Sequence, residues 1–190
     1  TAFVGTKKKY STDANLAGLS HEAEDLESME TSMRIVKPTM GVWPDQAPDE
    51  IEKVTLKFEK GRCVAVNGKE MAPYDVMLEM NKVGGRNGIG MKHALENRII
   101  GTKSRGVYEA PGMELLAACL RYVYQATLDR RAGLLFGQLS KLVADQSYDG
   151  RYFDPVTQAA RAAIGVFSKH ASGTVEAGLY KGNIFFNALT

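Results

Sequence analysis

Hydrophobic and polar positions between residues 52 and 70 alternate with the period of two that a hairpin requires. In "EKVTLKFEKGRCVAVNGKE", Val54, Leu56 and Phe58 occupy every second position, Gly61 marks the turn, and Cys63–Val66 form the return strand. The closing stretch "TVEAGLYKGNIFFNAL" predicts another hairpin, turning at Lys181-Gly182. Elsewhere the period lengthens to that of a helix. Met77, Met80 and Val83 share one face after Pro73, and Gly84-Gly85 are expected to stop that helix. Pro111 opens a long helical region with Leu115, Leu116, Cys119, Tyr122 and Val123 at helical spacing. A further helix carries Leu134, Leu135, Leu139, Leu142 and Val143. Asp154-Pro155 supplies an N-cap and a first-turn proline for an Ala-rich helix running through Ala160, Ile164 and Phe167 to Gly173. These Met and Leu stripes are expected to face a core. Strands and helices are segregated along the chain, which predicts an α+β fold: hairpins and a mainly antiparallel sheet packed with several helices.

The remaining segments follow neither period. Lys7-Lys8-Lys9 reads as a solvated tether. Residues 37–50, "KPTMGVWPDQAPDE", carry three prolines and read as an extended loop. "STDAN" at 11–15 reads as a turn or helix cap, and Ser20 by itself has no special signal. "GGRNGIG" at 84–90 has the wrong glycine order for a dinucleotide fingerprint and reads as a helix C-cap with a mobile loop. "ENRIIGTKSRGVYEAPG" at 96–112 predicts one or two short strands bent at Gly101 and Gly106. Adjacent Ile99 and Ile100 imply that both faces are buried there. Buried charges are costly unless paired. Glu96 with Arg98, Lys103 and Arg105 therefore forms either a structural ion-pair network or a binding site, and residue types leave the two open.

Composition narrows the function classes. A chain of 190 residues fits one domain, or one and a fraction. A net charge of +2 provides no field suited to nucleic acid or a membrane surface. The longest uncharged apolar run, "LLAACL" at 115–120, is far shorter than the roughly 20 residues a membrane span needs. Cys63 and Cys119 are far apart without metal-ligand spacing, so a reduced cytosolic thiol pair is expected. His21, His93 and His170 have no clustered partners in sequence, which argues against a metal site. Neither a G-x-S-x-G elbow nor a G-x-x-x-x-G-K-[ST] loop is present. The chain starts without Met and ends inside an apolar run, which is expected of a piece of a longer polypeptide.

Three longer stretches together carry a resemblance. "YSTDANLAGLSHEAEDLE", "NKVGGRNGIGMKHALENRIIGTKSRGVYEAPG" and "LYKGN", with the hairpin at 57–70 and "YDGRYFDP", resemble the C-terminal domain of the argininosuccinate synthase family. The resemblance spans about residues 10 to 186, and the wording is similar to the longer bacterial branch. It implies a synthetase and multimerisation domain over 1–190, with an extended lead-in segment and loop over 1–44 and an α+β body over 45–190.

The family reaction is a two-step ligation in arginine biosynthesis. ATP adenylates the ureido oxygen of citrulline, and the amino group of aspartate then displaces AMP to give argininosuccinate. The family's nucleotide loop, S-G-G-x-D-[ST], does not occur here, so ATP with Mg is expected to be held mainly by a nucleotide-binding domain outside this sequence. The chain alone is then expected to be inactive. The resemblance also implies a cytoplasmic homotetramer with no nucleic-acid or membrane partner.

Family citrulline contacts map onto Ser11, Ser20, Glu96 and Tyr108, with matching residue types at all four. A carboxylate suits an α-ammonium, and hydroxyls suit carboxylate or ureido groups. The role implied is orientation rather than nucleophilic or acid–base work, so no catalytic residue is assigned in this chain. Arg98, Lys103 and Arg105 are expected to be structural or interdomain charges. Asn87 and His21 depart from the residues common in relatives, which bears on loop detail rather than on the contacts. The competing reading is a non-catalytic binding or assembly module that keeps the same fold.

Overall fold

The computed structural model describes residues 10–190, so the Lys7-Lys8-Lys9 tether lies outside the described residues. In chain order the strands are β1 (Ser11–Asn15), β2 (Gly18–Glu22), β3 (Glu52–Glu59), β4 (Arg62–Val66), β5 (Lys69–Glu70), β6 (Met91–Asn97), β7 (Lys103–Glu109), β8 (Gly173–Tyr180) and β9 (Asn183–Leu189). The helices are α1 (Pro73–Arg86), α2 (Pro111–Thr127), α3 (Arg130–Tyr148) and α4 (Pro155–Ser168). Among the described residues, two mainly antiparallel sheets and four α-helices give the α+β fold that the segregated pattern predicts. The chain divides into two compact units: Thr1–Glu50 with Met77–Leu115 and Tyr180–Asn183, and Ile51–Val76 with Leu116–Leu179 and Ile184–Thr190.

The first unit holds the sheet β1-β2-β7-β6. "STDAN" is a strand here, where the sequence favours a turn or cap. Its five residues are exposed and pair in register with β2, from Ser11 opposite Glu22 to Asn15 opposite Gly18. A polar edge strand has no hydrophobic alternation to reveal it, and among the described residues only Asn15, at its end, keeps a local side-chain bond, accepting from Ala17 N at 2.8 Å. One face of the sheet packs on Leu26, Val36, Trp43 and Val107, with Tyr10, Met33, Ile35 and Met91 around them. Trp43 Nε1 donates to Val36 O at 3.2 Å, so the indole is satisfied inside this core.

The β6–β7 hairpin corrects two expectations. Gly101 turns the chain at φ 86°, but Gly106 sits within β7 in continuous register and bends nothing. Ile99 and Ile100 are 71% and 83% exposed at the hairpin tip, so the strand buried on both faces does not exist. The tip closes through Arg98 N to Thr102 O and Gly101 N to Arg98 O, both 2.8 Å.

Helix α1 also runs further than expected, through Gly84-Gly85 to Arg86. A Cβ at Gly85 would collide with the Met40 carbonyl oxygen, and one at Gly84 would lie 2.7 Å from Pro111 O. These glycines serve close packing and do not terminate the helix. The chain beyond them is no mobile exposed loop, because Asn87 and Ile89 are buried.

The second unit holds the sheet β5-β4-β3-β8-β9. Val54, Leu56 and Phe58 are buried on one side of β3, as alternation requires. Lys60-Gly61 turns with both φ values positive, the primed geometry suited to a two-residue hairpin. Asn67-Gly68 makes a second such turn and adds the short β5, which the sequence reading lacked. Leu115 of the first unit, and Cys119 and Val123 of the second, are fully buried along α2. Helix α3 contradicts the expected core stripe: none of its residues is buried, and Leu134 and Leu135 are exposed. Asp154 does precede α4, but its carboxylate accepts from Arg151 Nε at 2.7 Å and makes no capping bond; the helix ends at Ser168, short of Gly173.

Candidate functional site

Strand alternation decides which side chains of the first sheet meet. Paired residues share a face, and successive residues change face. Ser11 lies opposite Glu22, Asp13 opposite Ser20, and Ser20 opposite Tyr108. Glu22 lies opposite Gly106, Gly106 opposite Ala94, Tyr108 opposite Lys92, and Ser104 opposite Glu96. Ser11, Ser20, Glu96 and Tyr108 therefore stand on one face, together with Glu22. Ser11 is exposed, while Ser20, Glu22, Glu96 and Tyr108 are half-buried. A shallow pocket of about 390 Å³ on this unit is lined by residues that include Asp13, Asn15, Ser20 and Tyr108.

Tyr108 and Glu96 are linked directly, the phenol donating to Glu96 Oε1. Gly106 makes this possible. A Cβ there would lie 2.8 Å from Tyr108 Cε2, so the ring occupies the space that any side chain at 106 would need. Burial and the Glu96 hydrogen bond push the Tyr108 phenol up to about 12, which keeps it a neutral donor. Ser11 Oγ donates to Glu22 O at 3.2 Å, tying the edge strand to β2. With one Tyr108 bond accepted, Glu96 retains a further oxygen for an incoming cation.

The three cations of the 96–112 stretch separate. Arg98 reaches onto the same face, where Nη2 donates to Glu22 Oε2 and, at 3.0 Å, to Ser104 Oγ. Lys103 is exposed at the start of β7. Arg105 points to the other face and is 6% exposed. It donates to the backbone oxygens of Leu26 and Ser28 and to His93 Nε2, so it fastens the segment after β2 beneath the sheet.

That opposite face holds a polar cluster the sequence reading missed. His21 and Glu109 are each 1% exposed, and His21 Nε2 is 2.7 Å from Glu109 Oε1. Glu109 also accepts from the backbone N–H groups of Thr39 and Met40, and His21 Nδ1 lies 2.9 Å from Thr12 Oγ1. A buried carboxylate with this many donors is fully engaged. The pair fixes β2 against β7, and so fixes Ser20 opposite Tyr108. His21 and Glu109 are 88 positions apart, and only the β2–β7 register brings them together. Glu22 was findable sooner: once β2 is known to be a strand, it shares a face with Ser20. Among the described residues no group of three or more His, Cys, Asp or Glu side chains is placed to hold a metal ion.

A family model described as the arginosuccinate synthase C-terminal domain matches residues 10–189. The chain belongs to the argininosuccinate synthase C-terminal domain family. A protein named argininosuccinate synthase from Psychrobacter sp. (strain PRwf-1) is 40% identical over 184 residues, covering 96% of this chain and 45% of that protein. Another of the same name from Rhodopirellula baltica is 39% identical over 188 residues, covering 98% and 46%. The chain thus spans less than half the length of these argininosuccinate synthases. Among its described residues, no helix is long and apolar enough to cross a membrane.

Proposed function

We propose that this chain is the part of an ATP-dependent ligase that holds citrulline while it is joined to aspartate. What supports the reading is the gathering of Ser11, Ser20, Glu96 and Tyr108, residues scattered over 98 positions, onto one face of one sheet. In the first step the ureido oxygen of citrulline attacks the α-phosphorus of ATP, and pyrophosphate leaves. In the second the amino nitrogen of aspartate attacks the ureido carbon, the bond to AMP breaks, and argininosuccinate is released for arginine biosynthesis.

The four side chains orient the substrate and transfer no proton of their own. Glu96 receives the α-ammonium, with Tyr108 holding its carboxylate in place, and the serine hydroxyls meet carboxylate or ureido groups. Citrulline, aspartate and ATP with Mg complete the site, the nucleotide being held mainly by residues outside this chain. A cytoplasmic setting agrees with two unpaired thiols, both pushed up by burial, Cys63 to about 11 and Cys119 to about 12. The exposed Leu134 and Leu135 of α3 agree with assembly into a homotetramer.

Those same leucines fit equally the second reading, a non-catalytic binding or assembly module that keeps the same fold. Pyrophosphate release by the full-length protein separates the two. The ligase reading expects release that requires citrulline, that continues beyond one turnover only with aspartate present, and that is absent from the 190-residue chain alone. A full-length protein that assembles yet releases no pyrophosphate would establish the module.

A further inference from the structure

We infer that Arg98 sets the charge selectivity of this face, so that it admits an amino acid with a neutral side chain and turns away one with a cationic side chain. The inference rests on the amino-acid reading of the same site and adds its rule of discrimination. Around the Tyr108 hydroxyl stand two carboxylates, Glu22 and Glu96, and one guanidinium, Arg98, all close enough to act on its titration. Tyr108 is neutral, so the group carries one net negative charge. Glu96 is left to meet the α-ammonium, while Arg98 offsets Glu22, so no uncompensated carboxylate remains for a second positive charge.

Glu22 is the carboxylate that a second positive charge would seek, and Arg98 already occupies it while also binding Ser104. Other charges on the face change this little. Lys92 is offset by Glu114 at 3.1 Å, and Asp13 is exposed on the edge strand, where solvent screens it. Arginine is the informative competitor, since it is citrulline with a guanidinium in place of the ureido group. Arg98 lies at a hairpin tip, with its side chain 36% exposed, so its removal leaves the core untouched.

The test compares arginine with citrulline as ligands of the full-length protein, by calorimetry and by competition. Arg98→Met exposes the Glu22 charge and is expected to tighten arginine relative to citrulline by about tenfold, the scale of one unit charge at short range in a half-solvated site. Glu22→Gln is expected to move the ratio the other way, and the double variant to return it to the wild-type value. The Glu22→Gln arm carries the test if Arg98→Met does not fold. A wild-type preference for citrulline that neither single variant shifts beyond about twofold overturns the inference and leaves the citrulline reading standing. Wild-type protein that binds arginine as readily as citrulline overturns both.

Discussion

The hydroxyl of Tyr108 on β7 donates to the carboxylate of Glu96 on β6, and the ring making that reach lies in the space left by Gly106. Sequence places Gly106 and Tyr108 two apart on one strand, hence on one face. Gly106→Ala is therefore expected to displace the ring and break its bond to Glu96. Overpacking of this kind costs about 1–3 kcal/mol, and a loss of citrulline affinity larger than the loss of stability would mark the site effect. Calorimetric binding beside a thermal melt of the same variant gives both numbers.

The phenol of Tyr108 should titrate late. Its folded pKa, raised from 10.0 to about 12, lies above the unfolded one. The stabilisation it contributes is thus present in full below the unfolded value and is lost as pH rises through the folded value. Phenolate absorbance, with Tyr108→Phe as the difference control, should show one transition near 12. In Glu96→Gln that transition should move down, with burial keeping it above an ordinary tyrosine.

Removing one partner of the buried His21–Glu109 pair leaves the other without its counterpart. Glu109→Ala also strands the N–H groups of Thr39 and Met40. The expected loss is about 3–5 kcal/mol, read from denaturant unfolding. Glu109→Gln should lose less, because the amide oxygen still accepts from part of the set.

Cys119 is fully buried and its thiol is pushed up to about 12, so it carries almost no thiolate near neutrality. Iodoacetamide at pH near 8 should leave it unmodified in the native protein and alkylate both cysteines after unfolding. Modification of native Cys119 at the rate of a free thiol would contradict its placement.

Elements with strong periodicity were legible from the sequence. The β3–β4 and β8–β9 hairpins and helices α2 to α4 carry their own hydrophobic pattern, with turn glycines in the hairpins and first-position prolines in α2 and α4. What escaped lacked that pattern or depended on distant partners. Ser11–Asn15 is polar throughout, so nothing in it announces a strand. Gly84-Gly85 resembles a helix stop until the Met40 carbonyl is seen against it. Ile99-Ile100 and the leucines of α3 show that apolar residues need not be inside. For the site, family resemblance supplied four positions, but only β-register shows that they share a face. The same register reveals Glu22 beside them and separates Arg98 from Arg105.

Citrulline binding to the full-length protein and to its Glu96→Gln variant, measured together with their melting temperatures, tests the central claim most directly. Loss of the carboxylate proposed to meet the ammonium should weaken binding by about tenfold or more, with melting nearly unchanged, since a charge-assisted hydrogen bond is worth roughly 1.5–3 kcal/mol. An unchanged citrulline affinity in the folded variant would contradict the assignment of this face as the citrulline site.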